Sequence, residues 1–311
     1  MKIFVYTALD EAARRYLQAQ LPAGAEVTFG ADLPAAAARA ALRAAEIVLG
    51  NPPPAWLAAG PLPELKFWQI DSAGFDRYKG VKLTTPVANM GDFFAWACAE
   101  TMVAGLLALY RRLPELVLLQ AKQQWVGAEV RGRQGLLRGK RVVLLGAGTI
   151  AQAVREQLGG FGCAVRLLAR RDPRAQLHTT EELAAALPDT DVVVNCLPGS
   201  ADGFFSAELV AAMRPDAIYA SVGRGNTTDE PALVAALQAG RLGGAVLDVT
   251  ATEPIPAGHP LWTLPNVLLT QHTGGGQPRE AEGKIDQFIR NLERLRAGQP
   301  LENQVELAEG Y

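Results

Sequence analysis

Cysteine is scarce in this chain: Cys98, Cys163 and Cys196 are the three in 311 residues, and they lie far apart. That spacing gives no disulfide framework and no metal-ligand cluster; it suits reduced, buried thiols in a cytoplasmic protein. Excess charge is also missing. The formal net charge is −2 and no long basic run occurs, which argues against nucleic acid as a partner. Long hydrophobic runs are absent as well. The most apolar stretch centres on Leu106–Tyr110, and Arg111 and Arg112 end it too soon for a membrane span. The amino terminus, Met1-Lys2-Ile3-Phe4-Val5-Tyr6, reads directly as a strand, without a charged lead, long apolar region or cleavage site, so no signal peptide is expected. No internal repeat or long low-complexity tract stands out, and the alanine-rich Ala35–Ala45 run reads as a helix.

What the chain does have is apolar residues, 49% of the total, and enough length for two domains with a core each. The organising stretch is Lys140–Gly148. Val142–Leu145 is an unbroken apolar run, as in a strand buried on both faces of a parallel sheet. Gly146-Ala147-Gly148-Thr149-Ile150-Ala151 follows at once, and Gln152–Leu158 reads as a helix. Strand, glycine turn and helix together make the context of a dinucleotide fingerprint. Gly146 permits the tight turn, Gly148 lets a pyrophosphate reach the backbone, and the free N–H groups around Thr149 and Ile150 receive the anion. Ala151 is an allowed variant of the third glycine.

The first ninety or so residues alternate strands (Lys2–Tyr6, Glu26–Phe29, Glu46–Leu49, Phe67–Ile70, Lys82–Thr84) with helices (Asp10–Gln20, capped by Asp10, and Pro34–Ala45). Asp92–Leu113 is the longest helical pattern, with Asp92 near its cap, of a length that often bridges domains. Leu116–Leu137, with Trp125, reads equally as an arm packing on a partner subunit or as a surface excursion. Beyond the fingerprint come strands at Ala164–Leu168, Asp191–Asn195, Ala217–Ser221, Gly244–Asp248 and Val267–Thr270, then an amphipathic helix, Ile285–Leu295, that can return to the first unit. Polar and glycine-rich residues gather after these strands, where ligands bind in open α/β sheets.

Three of those segments hold reactive residue types: Arg224 in Val222-Gly223-Arg224-Gly225, Glu253 before Pro254, and His272 in Gln271-His272-Thr273. Taken singly, each has a plainer reading: a solvated loop arginine, a turn carboxylate, a structural histidine. His178 and His259 have no clear reactive context. The Phe93-Phe94-Ala95-Trp96 cluster reads as helix-start core more readily than as a pocket lining.

Taken together, the glycine fingerprint, Val-Gly-Arg-Gly, Asp248…Glu253-Pro254, His259-Pro260-Leu261 and His272 resemble the D-2-hydroxyacid dehydrogenase family, most closely its glyoxylate/hydroxypyruvate reductase branch. The resemblance spans nearly the whole chain. It implies an α/β protein of two doubly wound parallel-sheet domains: a Rossmann-type cofactor domain (92–280) inserted into a flavodoxin-like substrate domain (1–91 and 281–311), the two closing around the ligand. It also implies a homodimer. By the same resemblance, Arg224 binds the substrate carboxylate and polarises the 2-keto group, a task suited to a planar fork of donors with permanent charge. His272 is the acid that protonates the ketone oxygen, and Glu253 orients it. Ala73 and Gly74 hold the carboxylate through backbone N–H groups, Asp248 lies near the nicotinamide, and Leu197 and Pro198 run along the cofactor. Two departures stand out: Gln271 where the family often has Pro, and Glu100-Thr101 where it often has Glu-His. The implied reaction reduces a small 2-keto acid. The alternatives are a dinucleotide-sensing binding protein on the same fold and a formate dehydrogenase-like branch, which usually pairs its His with Gln.

The coenzyme is read from the residues themselves. The strand Ala164–Leu168 runs into Ala169-Arg170-Arg171-Asp172-Pro173, about twenty residues past the glycines, where an NAD-selective site usually has an acid. Arg170 and Arg171 would attract a 2′-phosphate, so NADPH is expected over NADH, with NADH possible. In the competing reading both arginines point to solvent and Asp172 takes the ribose.

Overall fold

Ile3, Phe4 and Val5 are all buried, so the first strand, β1 (Lys2–Val5), must lie inside a sheet covered on both faces. A computed structural model, describing residues 1–310, places it there. The chain divides into one unit made of Met1–Phe93 and the segment from Gln277 on, and a second unit, Phe94–Gly276.

In the first unit β1 is followed by α1 (Glu11–Gln20), β2 (Glu26–Phe29), α2 (Ala35–Arg43), β3 (Ile47–Leu49), α3 (Pro54–Ala58), β4 (Phe67–Gln69) and β5 (Val87–Ala88). All pairings are parallel, in the order β2-β1-β3-β4-β5, the doubly wound flavodoxin-like order. Asp10 caps α1, its carboxylate accepting the Ala13 N–H at 2.8 Å. One expected strand is misplaced. Lys82–Thr84 forms no strand, and β5 forms five residues later, where Val87 and Ala88 can pair with Trp68 and Gln69.

The second unit opens with α4 (Ala95–Tyr110), α5 (Leu113–Ala121) and α6 (Gly127–Arg131). The sheet elements follow: β6 (Arg141–Leu145), α7 (Thr149–Gly159), β7 (Ala164–Leu168), α8 (Thr180–Ala186), β8 (Val192–Asn195), α9 (Ala207–Ala212), β9 (Ile218–Ser221), α10 (Glu230–Gln238), β10 (Gly244–Leu247) and β11 (Val267–Leu269). The sheet is wholly parallel, ordered β11-β10-β9-β8-β6-β7. Alternate residues feed opposite faces. Val142, Leu144, Val194 and Val246 pack under α4 and α7, while Val143, Leu145, Val193 and Leu247 pack under α8, α9 and α10. Each such side chain contributes roughly 1.5–3 kcal/mol by leaving water.

The long helix differs from its expected form. It begins at Ala95, capped by Phe94 without a side-chain bond, so Asp92 is no cap; it ends at Tyr110 before left-handed Arg112. It lies wholly in the second unit. There Gly105 lets the helix meet Val246, whose Cγ1 would sit 2.4 Å from a Cβ. The longest described helix is instead α11 (Glu280–Arg296), which buries Ile285, Phe288 and Leu292 in the first unit, with Phe288 stacked on Phe67. Among the described residues no helix is long and apolar enough to cross a membrane.

Candidate active site

In the second sheet the winding reverses between β6 and β8, since β7 lies on one side of β6 and all later strands on the other. Ligand crevices in open α/β sheets form at such a reversal, outside the carboxyl ends of the strands. The two turns found there are Gly146-Ala147-Gly148 after β6 and Cys196-Leu197-Pro198 after β8. Gly146 has φ +103°, which L side chains rarely adopt, and a Cβ on it would lie 3.5 Å from the Cys196 carbonyl. Gly148 is the N-cap of α7 and brings no capping side chain. A Cβ there would meet nothing within 4 Å. The N–H groups of Thr149 and Ile150, in the first turn of α7, have no acceptor among the described residues, as a bound pyrophosphate requires. Leu197 is held by its N–H, which donates to Asn195 Oδ1 at 2.9 Å. On these grounds the residues fit a dinucleotide.

Arg224, Asp248 and His272 follow β9, β10 and β11, three adjacent strands, so their loops share one end of the sheet. Arg224 is half-buried, and its Nη1 donates to the Gly223 carbonyl at 2.8 Å. The glycines on either side have a definite purpose. A Cβ on Gly223 would sit 2.3 Å from the Leu197 oxygen, and one on Gly225 only 1.9 Å from the Thr250 oxygen. Gly-Arg-Gly is thus a strip squeezed between the turn after β8 and the loop after β10. Beneath it, Asn195, fully buried, donates to Thr227 Oγ1 at 2.8 Å, and Thr227 donates to the Arg224 carbonyl at 2.6 Å.

His272 Nδ1 pairs with Glu253 Oε2 at 2.6 Å, and Glu253 Oε1 accepts the Thr250 N–H at 3.1 Å. The carboxylate is fixed at both oxygens and takes up one ring nitrogen, which leaves Nε2 for chemistry. Asp248 anchors the histidine loop. Its Oδ1 accepts Thr270 Oγ1 at 2.6 Å and the N–H groups of Thr273 and Gly274 at 3.0 Å each, and its carbonyl accepts His272 N–H at 2.6 Å. Its Oδ2 lies within 2.8 Å of where a Gly274 Cβ would be, so Gly274 keeps that oxygen clear. Gln271 and His272 both take left-handed φ, +53° and +56°. Proline, fixed near −65°, could not adopt the first of these, so Gln271 suits a loop that departs from the usual family residue. Thr101, the other departure, donates to the Gly274 carbonyl at 3.1 Å and steadies the same loop. A cavity of about 420 Å³ beside the pair is lined by Thr250, Glu253, Ile255, Trp262, Gln271 and His272.

In the first unit the carbonyls of Ala73 and Gly74 are occupied, accepting Asn89 Nδ2 at 2.6 Å and Ser72 Oγ at 2.7 Å. Their N–H groups have no acceptor among the described residues, a disposition suited to an anion.

The loop after β7 is where the sequence reading falls short. Arg170 and Arg171 are exposed at its tip. Asp172 is not a free acceptor. Arg174 Nε and N–H both donate to its Oδ1 at 2.9 Å, and Arg174 Nη2 donates to its Oδ2 at 2.6 Å. The Arg174 guanidinium holds this carboxyl down at about 2. The same Nη2 reaches the Ala147 carbonyl, 3.0 Å away, inside the glycine turn. Arg174 was missed because its role depends on a two-residue spacing from Asp172 within a loop, which no periodicity marks. Asn195 was missed because its partners come from other strands.

Two further expectations change in part. In the Phe93–Trp96 cluster Ala95 is buried in the core and half-buried Phe94 packs against that core and beside Gly275, as a helix start should, but Phe93 is only half-buried beside Gly283 and Trp96 is exposed. Of the thiols, none of which is in a disulfide, Cys98 is buried and Cys163 and Cys196 are half-buried; burial pushes Cys98 and Cys196 each up to about 12, out of the range of a nucleophile.

The family model for the D-isomer specific 2-hydroxyacid dehydrogenase NAD binding domain matches residues 103–274. A glyoxylate/hydroxypyruvate reductase A from Serratia proteamaculans is 32% identical over 218 residues, 68% of each chain. A D-isomer specific 2-hydroxyacid dehydrogenase from Xanthobacter autotrophicus, solved with NADPH and MES, superposes with a TM-score of 0.82 at 28% identity, covering 100% of this chain and 99% of that one. An NADPH-dependent glyoxylate/hydroxypyruvate reductase from Sinorhizobium meliloti, at 23% identity and TM-score 0.83 over 100% and 99% of the two chains, shares the fold. The chain belongs to the D-isomer specific 2-hydroxyacid dehydrogenase family and is an NAD(P)-dependent oxidoreductase acting on 2-keto acids.

Proposed function

We propose that the protein reduces a small 2-keto acid of the glyoxylate or hydroxypyruvate type to the D-2-hydroxy acid, with NADPH preferred over NADH. The observation that carries this reading is the 2.6 Å His272–Glu253 pair at the same sheet end as Arg224. A binding protein that only sensed dinucleotide would need neither. The coenzyme, when bound, supplies the hydride. Arg224 holds the substrate carboxylate and draws charge from the keto oxygen through its fork of N–H donors. His272 gives the proton from Nε2 to that oxygen, while Glu253 on Nδ1 fixes the ring at 2.6 Å. The amides of Ala73 and Gly74 suit a carboxylate. The N–H groups of Thr149 and Ile150 suit the pyrophosphate. Leu197 and Pro198 flank the coenzyme, and Asp248 Oδ2 is available to a carboxamide donor. Arg170 and Arg171, exposed at the end of β7, favour a 2′-phosphate.

Curated relatives named glyoxylate/hydroxypyruvate reductase A support the substrate class, and the neighbour solved with NADPH supports the coenzyme. Exposed Leu113, Val117, Leu118 and Leu136, with Trp125 98% exposed, support a homodimer formed through this arm. Free thiols suit a cytoplasmic setting. The test is a panel of short 2-keto acids assayed with NADPH and with NADH by loss of nicotinamide absorbance. Fast turnover of glyoxylate or hydroxypyruvate with NADPH is expected; turnover of neither would reject the reading. Arg224→Lys should lower kcat/KM by about a hundredfold, since a point charge cannot replace the fork.

A further inference from the structure

We propose that Arg174 is a residue that determines coenzyme selectivity, acting by keeping the Asp172 carboxylate from the adenine ribose. The idea rests on the NADPH reading above and gives it a second, separable component.

The loop after β7 is a closed lobe. Its base is pinned where Ala169 N–H donates to the Leu177 carbonyl at 3.0 Å and Gln176 Oε1 accepts Leu167 N–H at 3.0 Å. Within it Asp172 occupies the stretch in which a dehydrogenase selective for NAD carries its ribose-binding acid. Left alone, a carboxylate there would accept the 2′- and 3′-hydroxyls and repel a 2′-phosphate. Here both its oxygens are taken, and every donor comes from Arg174: backbone N–H, Nε and Nη2, at 2.6–2.9 Å. The pair is neutral as a unit. Arg170 and Arg171 then set the sign of the loop by themselves. The third contact of Arg174, to the Ala147 carbonyl at 3.0 Å, ties the lobe to the glycine turn. The loop is thereby held at the height of the pyrophosphate site with its acid masked. The sequence holds an NAD-type acid, and one side chain conceals it.

Masking and tethering can be told apart. Arg174→Ala removes both; Asp172→Asn/Arg174→Ala removes the tether but leaves no acid to unmask. Binding of NADPH and NADH is titrated by coenzyme fluorescence for the wild type, Arg174→Ala, the double variant and Arg170→Ala/Arg171→Ala. Masking predicts that Arg174→Ala shifts the NADPH-to-NADH affinity ratio toward NADH by about ten- to a hundredfold, the worth of one charge-assisted contact, and that the double variant recovers most of the ratio. An unchanged ratio in Arg174→Ala overturns the proposal. So does an equal loss of both coenzymes that the double variant fails to recover, because that is the behaviour of a tether alone. The parent reading fails separately: if the wild type favours NADH, or Arg170→Ala/Arg171→Ala keeps its preference for NADPH, the arginine assignment is wrong whatever Arg174 does.

Discussion

The two sheets of this chain are wound alike, yet only one offers a coenzyme site. Five strands of each follow the same plan: the first strand lies beside the second on one side and the third on the other, as in β2-β1-β3 and β7-β6-β8. Both therefore place a helix amino terminus at the reversal of the winding. In the first unit that position is closed. Asp10 caps α1 with its own carboxylate, and the turn after β3 presses so closely on the turn after β1 that a Cβ on Gly50 would lie 2.4 Å from Thr7 N. In the second unit Gly148 withholds the cap, and a Cβ on Gly146 would still lie 3.5 Å from the Cys196 carbonyl across the crevice. The topology supplies two helix amino termini at a winding reversal, and the N-cap residue together with the spacing of the flanking turns decides which of them is open. The second sheet also has a sixth strand, β11, whose loop carries His272; among the described residues the first sheet has no counterpart.

The strongest way to break the contrast is to close the open site. Gly148→Asp places a carboxylate where Asp10 stands in the other unit. Because φ at Gly148 is −69° and a Cβ meets nothing within 4 Å, the fold should survive. Coenzyme affinity should fall by about a hundredfold or more from like-charge repulsion, while the melting temperature holds or rises slightly. Retained affinity by calorimetric titration would break the argument. Next comes Gly225→Ala. Its methyl would overlap the Thr250 carbonyl at 1.9 Å, so Arg224 and the Glu253 loop must part. Denaturant unfolding should show a loss of about 1–3 kcal/mol, and kcat should drop with it. A smaller effect is expected from Glu253→Gln, which keeps the contact to His272 but loses its charge. A fall in kcat of about tenfold with unchanged coenzyme affinity is the expected result, and steady-state kinetics would detect its absence. The smallest belongs to the closed site: Asp10→Ala should cost about 1 kcal/mol of stability and leave coenzyme binding untouched.

Much of this contrast was legible in the residues. Apolar runs bounded by glycine located β6 and the α7 turn, and Asp10 announced its own cap, because these are local signals. The weak points were short or tertiary. The β5 strand has two residues and exists through pairing with β4 on one edge and a bridge from Ala88 to Gln304 on the other, so nothing in Lys82–Thr84 could have excluded the wrong choice. Residues 92–113 keep a helical pattern across what is really a turn, a helix and a left-handed break at Arg112. In the site, Arg224, Glu253 and His272 were each ambiguous singly and gained meaning only as an ordered set. Asn195, the anchoring bonds of Asp248 and the Arg174–Asp172 pair were invisible because each depends on which backbone turns meet in space.

The measurement that bears most directly on the account is the rate of NADPH consumption with hydroxypyruvate, for wild type and His272→Ala, each with its coenzyme affinity measured on the same preparation. The account predicts steady turnover by the wild type and a fall of about a hundredfold to ten-thousandfold in the variant with coenzyme affinity preserved. Equal rates in the two proteins would contradict it.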